Sequence, residues 1–178
     1  MSEATQPNNL NYLSQLGFRF ALEKLPSVSY FCQAIAIPAI SINSVDTPTP
    51  FTVIPPAGSR LTFEPLNVRF RVDEDLKNYL EIYDWLVGVS RPDSFEQTRI
   101  LESQSRILNY RAGSVLNVVS DATLFVLDSN KRVKLHVFFE EVFPVSLSEL
   151  QFESMSSDVQ YLEATSQFRY RKYTVERV

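Results

Sequence analysis

Apolar residues along this chain recur mostly at every second position. FRFALEKL (18–25) sets Phe18, Phe20 and Leu22 against Arg19, Ala21 and Glu23, the alternation of a half-buried strand. Pro26 interrupts it, and VSYFCQAIAI (28–37) predicts a second strand paired with the first as a hairpin. Both faces of that second strand are largely apolar, which calls for cover on both sides. LNVRFRV (66–72) alternates cleanly, with Leu66, Val68, Phe70 and Val72 on one face.

One segment carries a helical period. DEDLKNYLEIYDWLVGV (73–89) places Leu76, Leu80, Tyr83 and Val87 on a single stripe. Asp73 caps it, Glu74 and Asp75 suit the positive end of its dipole, and Gly88 and Pro92 stop it. Leu80 and Trp85 are expected to pack on the sheet.

Strands return with ATLFVLD (122–128), a turn at SNKR, and VKLHVFFEEV (133–142). FPVSLSELQF (143–152) predicts a bend or a short strand. VQYLEATSQFRYRKYTV (159–175) predicts a closing strand of roughly fifteen residues, ~50 Å at ~3.3 Å per residue. A small domain cannot use that length internally, so part of it is expected to meet another subunit.

The remaining segments are connections. Residues 1–16 read as a flexible arm and 93–113 as a polar insertion, with a short helix around 94–108. NSVDTPTPFTVIPPAGSR (43–60) has Pro48, Pro50, Pro55 and Pro56, which supply no ladder donor and predict an extended loop. Val45, Phe51, Val53 and Ile54 make it too apolar to be idle. The expected architecture is a single domain over 1–178. It is mainly antiparallel β, a sandwich or partial barrel with one outer helix.

Composition narrows the function more than the fold. The chain has 178 residues, is 44% hydrophobic and carries a net charge of −4. That balance weighs against a nucleic-acid grip, which needs a basic surface. No apolar run reaches the ~18–20 residues of a membrane span, so no stable membrane insertion is expected. The first residues lack the basic and apolar regions of a signal peptide. Cys32 alone excludes an internal disulfide and fits a reducing compartment.

Chemistry-bearing residues are scarce. His136 is the sole histidine and lies between apolar neighbours in VKLHVFF, as a strand residue would. No cluster has zinc-ligand character, no G-x-S-x-G elbow exists, and four glycines write neither a dinucleotide fingerprint nor a P-loop. Cys32 has no flanking base and reads as a structural thiol. No catalytic residue, cofactor or metal is expected.

Two segments carry a resemblance. Phe31, Cys32, Gln33, Ala34, Ala36, Ile37, Pro38 and Ala39 resemble the early strand and corner of tail tube proteins of T-even-type contractile phages. Phe143, Pro144, Leu147, Glu149, Leu150 and Gln151 are similar to their late corner. A helix with Asp84 and Trp85 lies between them, in the same order. Phe31, Cys32, Pro38, Leu80, Trp85, Pro144 and Leu150 are the expected fold core.

The resemblance implies hexameric rings, stacked into a tube inside a contractile sheath. It implies sheath and baseplate partners, a virion location after synthesis in the host cytoplasm, and a lumen that passes DNA without specific binding. Glu163, Thr165 and Gln167 become candidates for the lumen face, since large barrels place polar residues inside. Val45, Asp46, Phe51, Val53 and Ile54 become candidates for contact with a neighbouring subunit or ring.

Charge segregates as well. Glu149, Glu153 and Asp158 belong to an acidic stretch (140–163) without Lys or Arg, whereas Arg169, Arg171 and Lys172 begin a basic end. These six are expected to meet across rings, where complementary charge sets register. The longer 93–113 stretch and the basic end leave room for a baseplate-proximal tube initiator. A tube protein of a contractile injection or secretion machine is a further alternative. A β-sandwich enzyme or ligand binder is opposed by the missing chemistry, and a DNA-binding barrel by the acidic balance.

Overall fold

One strand organises the molecule. β9 (Val133–Leu147) is 15 residues long in the computed structural model, and its partners change along its length. The model describes residues 12–13, 17–44, 47–48, 51–54, 57–90, 119–153 and 160–178. β8 (Ser120–Leu127) lies along one edge of β9. β11 (Lys172–Arg177) holds the other edge up to Glu140, and β10 (Glu163–Arg169) takes that edge over from Phe143. β1 (Phe18–Leu22) extends the sheet beyond β8, while β7 (Leu66–Arg71) and then β2 (Cys32–Ile35) extend it beyond β10. Every pairing is antiparallel.

The changeover in β9 has a local cause. Glu141 has a φ of 55°, which breaks the regular ladder. Its N–H donates to Asp121 Oδ1 at 3.0 Å, so the bulge leaves no orphan donor. Opposite it the closing segment bends at Tyr170–Arg171, and the Arg171 N–H donates to the Glu140 carbonyl at 2.9 Å.

Alternation puts Leu66, Val68 and Phe70 of β7, and Ala164, Ser166 and Phe168 of β10, on one buried face. α2 (Lys77–Ser90) covers it, with the Trp85 ring 6.1 Å from Phe168. The core continues through Phe20, Leu22, Leu124, Val137 and Phe139 of the other sheet part. Of the expected fold core, Trp85, Pro38 and Pro144 are buried, and Phe31, Cys32 and Leu150 are half-buried.

Several expectations are corrected. Segment 18–37 is not a hairpin: β1 and β2 lie at opposite ends of the sheet. Between them α1 (Pro26–Phe31) forms because Pro26 is placed at the helix start, where its missing N–H costs nothing. The Ser29 Oγ accepts from the Leu22 N–H at 2.8 Å, and Val28 is buried, so tertiary contacts override the β-rich composition.

Among the described residues there are therefore two helices, where one outer helix was expected. The expected stripe of the second is also wrong, because Leu80 is 48% exposed and Tyr83 is exposed as well. The buried residues are Asn78, Ile82, Trp85 and Gly88, so Gly88 packs inside the helix rather than ending it. The reason is polar. The Asn78 side-chain amide donates to the Arg71 carbonyl at 2.7 Å, and Asp73 and Asn78 each accept the other's backbone N–H. That anchor turns the Asn78 face inward and Leu80 outward.

The long strand expected over 159–175 is two strands, and the length belongs to β9 instead. Residues 143–147 continue β9 rather than forming a bend. The proline-rich segment is not a bare loop. β3 (Ile40–Ser44) pairs with β6 (Ala57–Phe63), and β4 (Thr47–Pro48) with β5 (Val53–Ile54), as a hairpin arm. Pro48 does not prevent this: it is the last residue of the two-residue β4, opposite Val53. The insertion 93–113, the helix expected at 94–108, Pro92 and most of the 1–16 arm lie outside the described residues.

Candidate functional site

Three surfaces remain unsatisfied by the chain's own core. The first is the hairpin arm. All five residues of β3 are exposed, as are most of β6, and Phe51 between β4 and β5 is 98% exposed. Asn43 is left unpaired where the register shifts, and a Cβ at Gly58 would overlap its carbonyl, so glycine is required there. The arm's base is held firmly. The Tyr170 hydroxyl donates to the Glu64 carbonyl at 2.8 Å, and the Tyr173 hydroxyl to the Pro38 carbonyl at 3.1 Å. Phe63 and Phe139 pack against both tyrosine rings. Burial, then the neighbouring Tyr173 and Glu64, push the Tyr170 phenol up to about 12.

The second surface is the sheet face opposite α2. β7 presents Asn67, Arg69 and Arg71 there, and β10 presents Glu163, Thr165, Gln167 and Arg169. Thr165 is opposite Arg69 and Glu163 opposite Arg71 in the register. Arg69 Nε lies 3.8 Å from Glu163. The Gln33 amide is satisfied with its NH2 on Glu163 at 2.6 Å and its oxygen on Arg71. Arg71 also lies over the Tyr161 ring at 5.3 Å.

The third is the pair of sheet ends, β1 and β2. Beside β1 an open groove of about 490 Å³ is lined by Phe20, Leu22, Pro26, Ser29 and Tyr30 among others. Tyr30 on its rim is 83% exposed.

The expected site residues separate accordingly. Glu163, Thr165 and Gln167 do share one polar face, and Arg169 joins them rather than the basic end. Arg171 and Lys172 pair inside the chain, with Glu141 at 3.1 Å and Glu140 at 3.0 Å, across the bend in the β9 ladder. Glu149 and Glu153 are exposed, and Glu149 accepts from Gln151. Val53 and Ile54 belong to β5; Val45, Asp46 and Asp158 lie outside the described residues. Sequence reasoning missed Tyr170 and Tyr173, although an aromatic pair at a strand break was a visible signal.

Burial pushes the Cys32 thiol up to about 11, against a weak contact to the Ala34 carbonyl, so the thiolate is rare at neutral pH. The His136 ring stacks edge-on to Phe125 at 4.9 Å. Among the described residues no group of three His, Cys, Asp or Glu could hold a metal, and no helix is long and apolar enough to cross a membrane.

Residues 4–176 match the family model described as phage tail tube protein. The tail tube terminator protein of Enterobacteria phage T4 is 29% identical over 184 residues, covering 99% of this chain and 96% of that protein. The tube-terminating cap of the anti-feeding prophage superposes with a TM-score of 0.62 at 12% identity, over 100% of both chains. A chain of an extracellular contractile injection system's sheath–tube complex gives 0.57 at 16% identity, over 94% of this chain and 93% of that one.

Proposed function

We propose, from the premise that this chain belongs to the phage tail tube protein family, that it forms a ring ending the inner tube of a contractile tail. The observation that carries this is the end-to-end match to a tail tube terminator. The ring is hexameric, with DNA passing through its lumen, and its neighbours are the tube, the sheath and the baseplate. It acts in the virion after synthesis in the host cytoplasm, and it is structural rather than catalytic.

Three features of the geometry support assembly into a ring. A sheet whose outer strands β1 and β2 have no second partner among the described residues gains by continuing into the next subunit, because unpaired edges otherwise invite aggregation. The polar face opposite α2 suits a water-filled lumen. The arm, exposed and apolar yet anchored at its base, suits a neighbouring subunit or ring. Of the charges expected to meet across rings, the exposed Glu149 and Glu153 are available to such a contact, whereas Arg171 and Lys172 are paired within the chain and Arg169 lies on the polar face.

A purified tube subunit mixed with this protein tests the reading in electron micrographs. Rings seated at one end of tubes, with growth stopped there, are expected. The second reading, a repeated tube subunit, rests on the fold likeness to the sheath–tube complex. It predicts long tubes from this protein alone, and such tubes would displace the terminator reading.

A further inference from the structure

The polar sheet face is more basic than the protein that carries it. Among its described residues on β7 and β10, Arg69, Arg71 and Arg169 stand against Glu163 alone, in a chain with a net charge of −4. Glu163 is held in place, with Gln33 on one oxygen and Arg69 3.8 Å from the other. Arg169 makes no ion pair with a described residue. The acidic residues that set the net charge fall elsewhere, so the average charge conceals a local reversal.

We propose that this face binds the phosphodiester backbone of duplex DNA without reading its sequence. Its side chains are guanidinium, amide and hydroxyl groups, the types that contact phosphate oxygens. On β7 and β10 this face carries no large apolar side chain, and the exposed ring beside it, Tyr161, lies under Arg71, so the face offers little of the apolar anchor on which a protein partner would rest. It also lacks the row of aromatic rings on which single-stranded bases stack, which selects the duplex. The inference deepens the ring reading, since in a ring this face would line the passage. It also sharpens the expectation of a lumen that passes DNA without specific binding: the DNA there is held loosely by its backbone, whatever its sequence.

A fluorescein-labelled 30-bp duplex of arbitrary sequence, followed by anisotropy with the full-length protein, tests this. Three phosphate contacts give a salt slope of about −2.7, so raising salt from 50 to 200 mM weakens binding roughly 40-fold. Replacing Arg69, Arg71 and Arg169 by Gln should lower affinity at 50 mM salt by more than tenfold and flatten that slope. Arg132→Gln, in the distant β8–β9 turn, should leave both unchanged. If the triple variant misfolds by circular dichroism, the Arg69→Gln/Arg169→Gln pair serves, because neither side chain supports the core. Full binding by the folded variant overturns the proposal, and so does equal displacement by a polyglutamate peptide, which would assign the face to an acidic protein. Micrographs of the same samples separate the two readings. Rings that ignore DNA overturn this inference alone; monomers that bind it overturn the ring alone.

Discussion

β7 and the hairpin arm are built from the same kinds of residue and meet opposite fates. Leu66, Val68 and Phe70 of β7 are wholly buried, between β2 and β10 and beneath α2. Ile40 and Ile42 of β3 and Leu61 of β6 are exposed, Ile42 at 58%. Each set alternates with polar neighbours. The difference lies in company: β7 has strands on both sides, whereas among the described residues β3 and β6 pair only with each other. A lone two-stranded ribbon is marginal in water. The arm persists because Tyr170, Tyr173 and Phe63 clamp its base, and its apolar face remains free for another chain.

The core side of this comparison gives the largest expected effect. Trp85→Ala should destabilise the monomer by about 3–5 kcal/mol, measured by denaturant unfolding, because it empties a buried site against Phe168. Leu80→Ala, on the same helix but turned outward, should cost well under ~1 kcal/mol. Equal losses at the two positions would undo the assignment of the helix face.

The arm should respond in the opposite sense. Changing Ile40, Ile42 and Leu61 together to Ser should leave monomer unfolding within ~0.5 kcal/mol of the parent. The same variant should fail to join rings or tubes in micrographs. Normal assembly from it would return these residues to ordinary exposed apolar positions.

The clamp comes next. Tyr170→Phe and Tyr173→Phe each remove one hydroxyl donor and should cost ~1 kcal/mol. Hydrogen exchange should quicken in 40–44 and 57–63 while β7 keeps its protection. Equal quickening in β7 would mean that the tyrosines support the core rather than the arm.

The smallest effect concerns pH and belongs to the core. Burial lowers Lys24 to about 8, with its ammonium 5.1 Å from the Trp85 ring. The folded pKa is below the unfolded one, so the unfolded chain binds more protons above pH 8, and stability rises with pH there. Cys32 and Tyr170 are shifted upward and act in the opposite sense, but only above about pH 9 and 10, where their unfolded forms ionise. Between pH 8 and 9 unfolding should therefore become harder by less than ~1 kcal/mol, a figure reduced by Lys24's partial exposure. In Lys24→Met the rise should vanish, whereas a persistent rise would place its source elsewhere.

Much of the strand content was legible because alternation reports a half-buried strand locally. β1, β7, β8 and the start of β9 all follow it. The failures are specific. Segment 28–37 reads as one strand because its residues favour β structure, and Cys32–Ile35 is a strand, but its first part, up to Phe31, belongs to a helix because Pro26 and Ser29 gain more as a helix start packed on β1. The helix over 73–89 was recognised, but its inward face was misplaced by two residues, because the polar Asn78 rather than Leu80 anchors it. The polar set Glu163, Thr165 and Gln167 was readable from period two. The membership of Arg69 and Arg71 on that face was not, since it depends on which strand lies beside β10.

The sequence by itself determined the class of this protein. A period of two, one strong helical stripe and the absence of clustered chemistry are local properties, set by each residue's own side chain and neighbours. Two corner motifs in a fixed order pointed to the family. The tertiary structure alone decided what faces what. It divided the closing segment into two strands at Tyr170–Arg171, paired Arg171 and Lys172 with Glu141 and Glu140, and gathered three arginines on one face. Strand order and register join residues far apart in the chain, and no local periodicity encodes which distant strand supplies the partner.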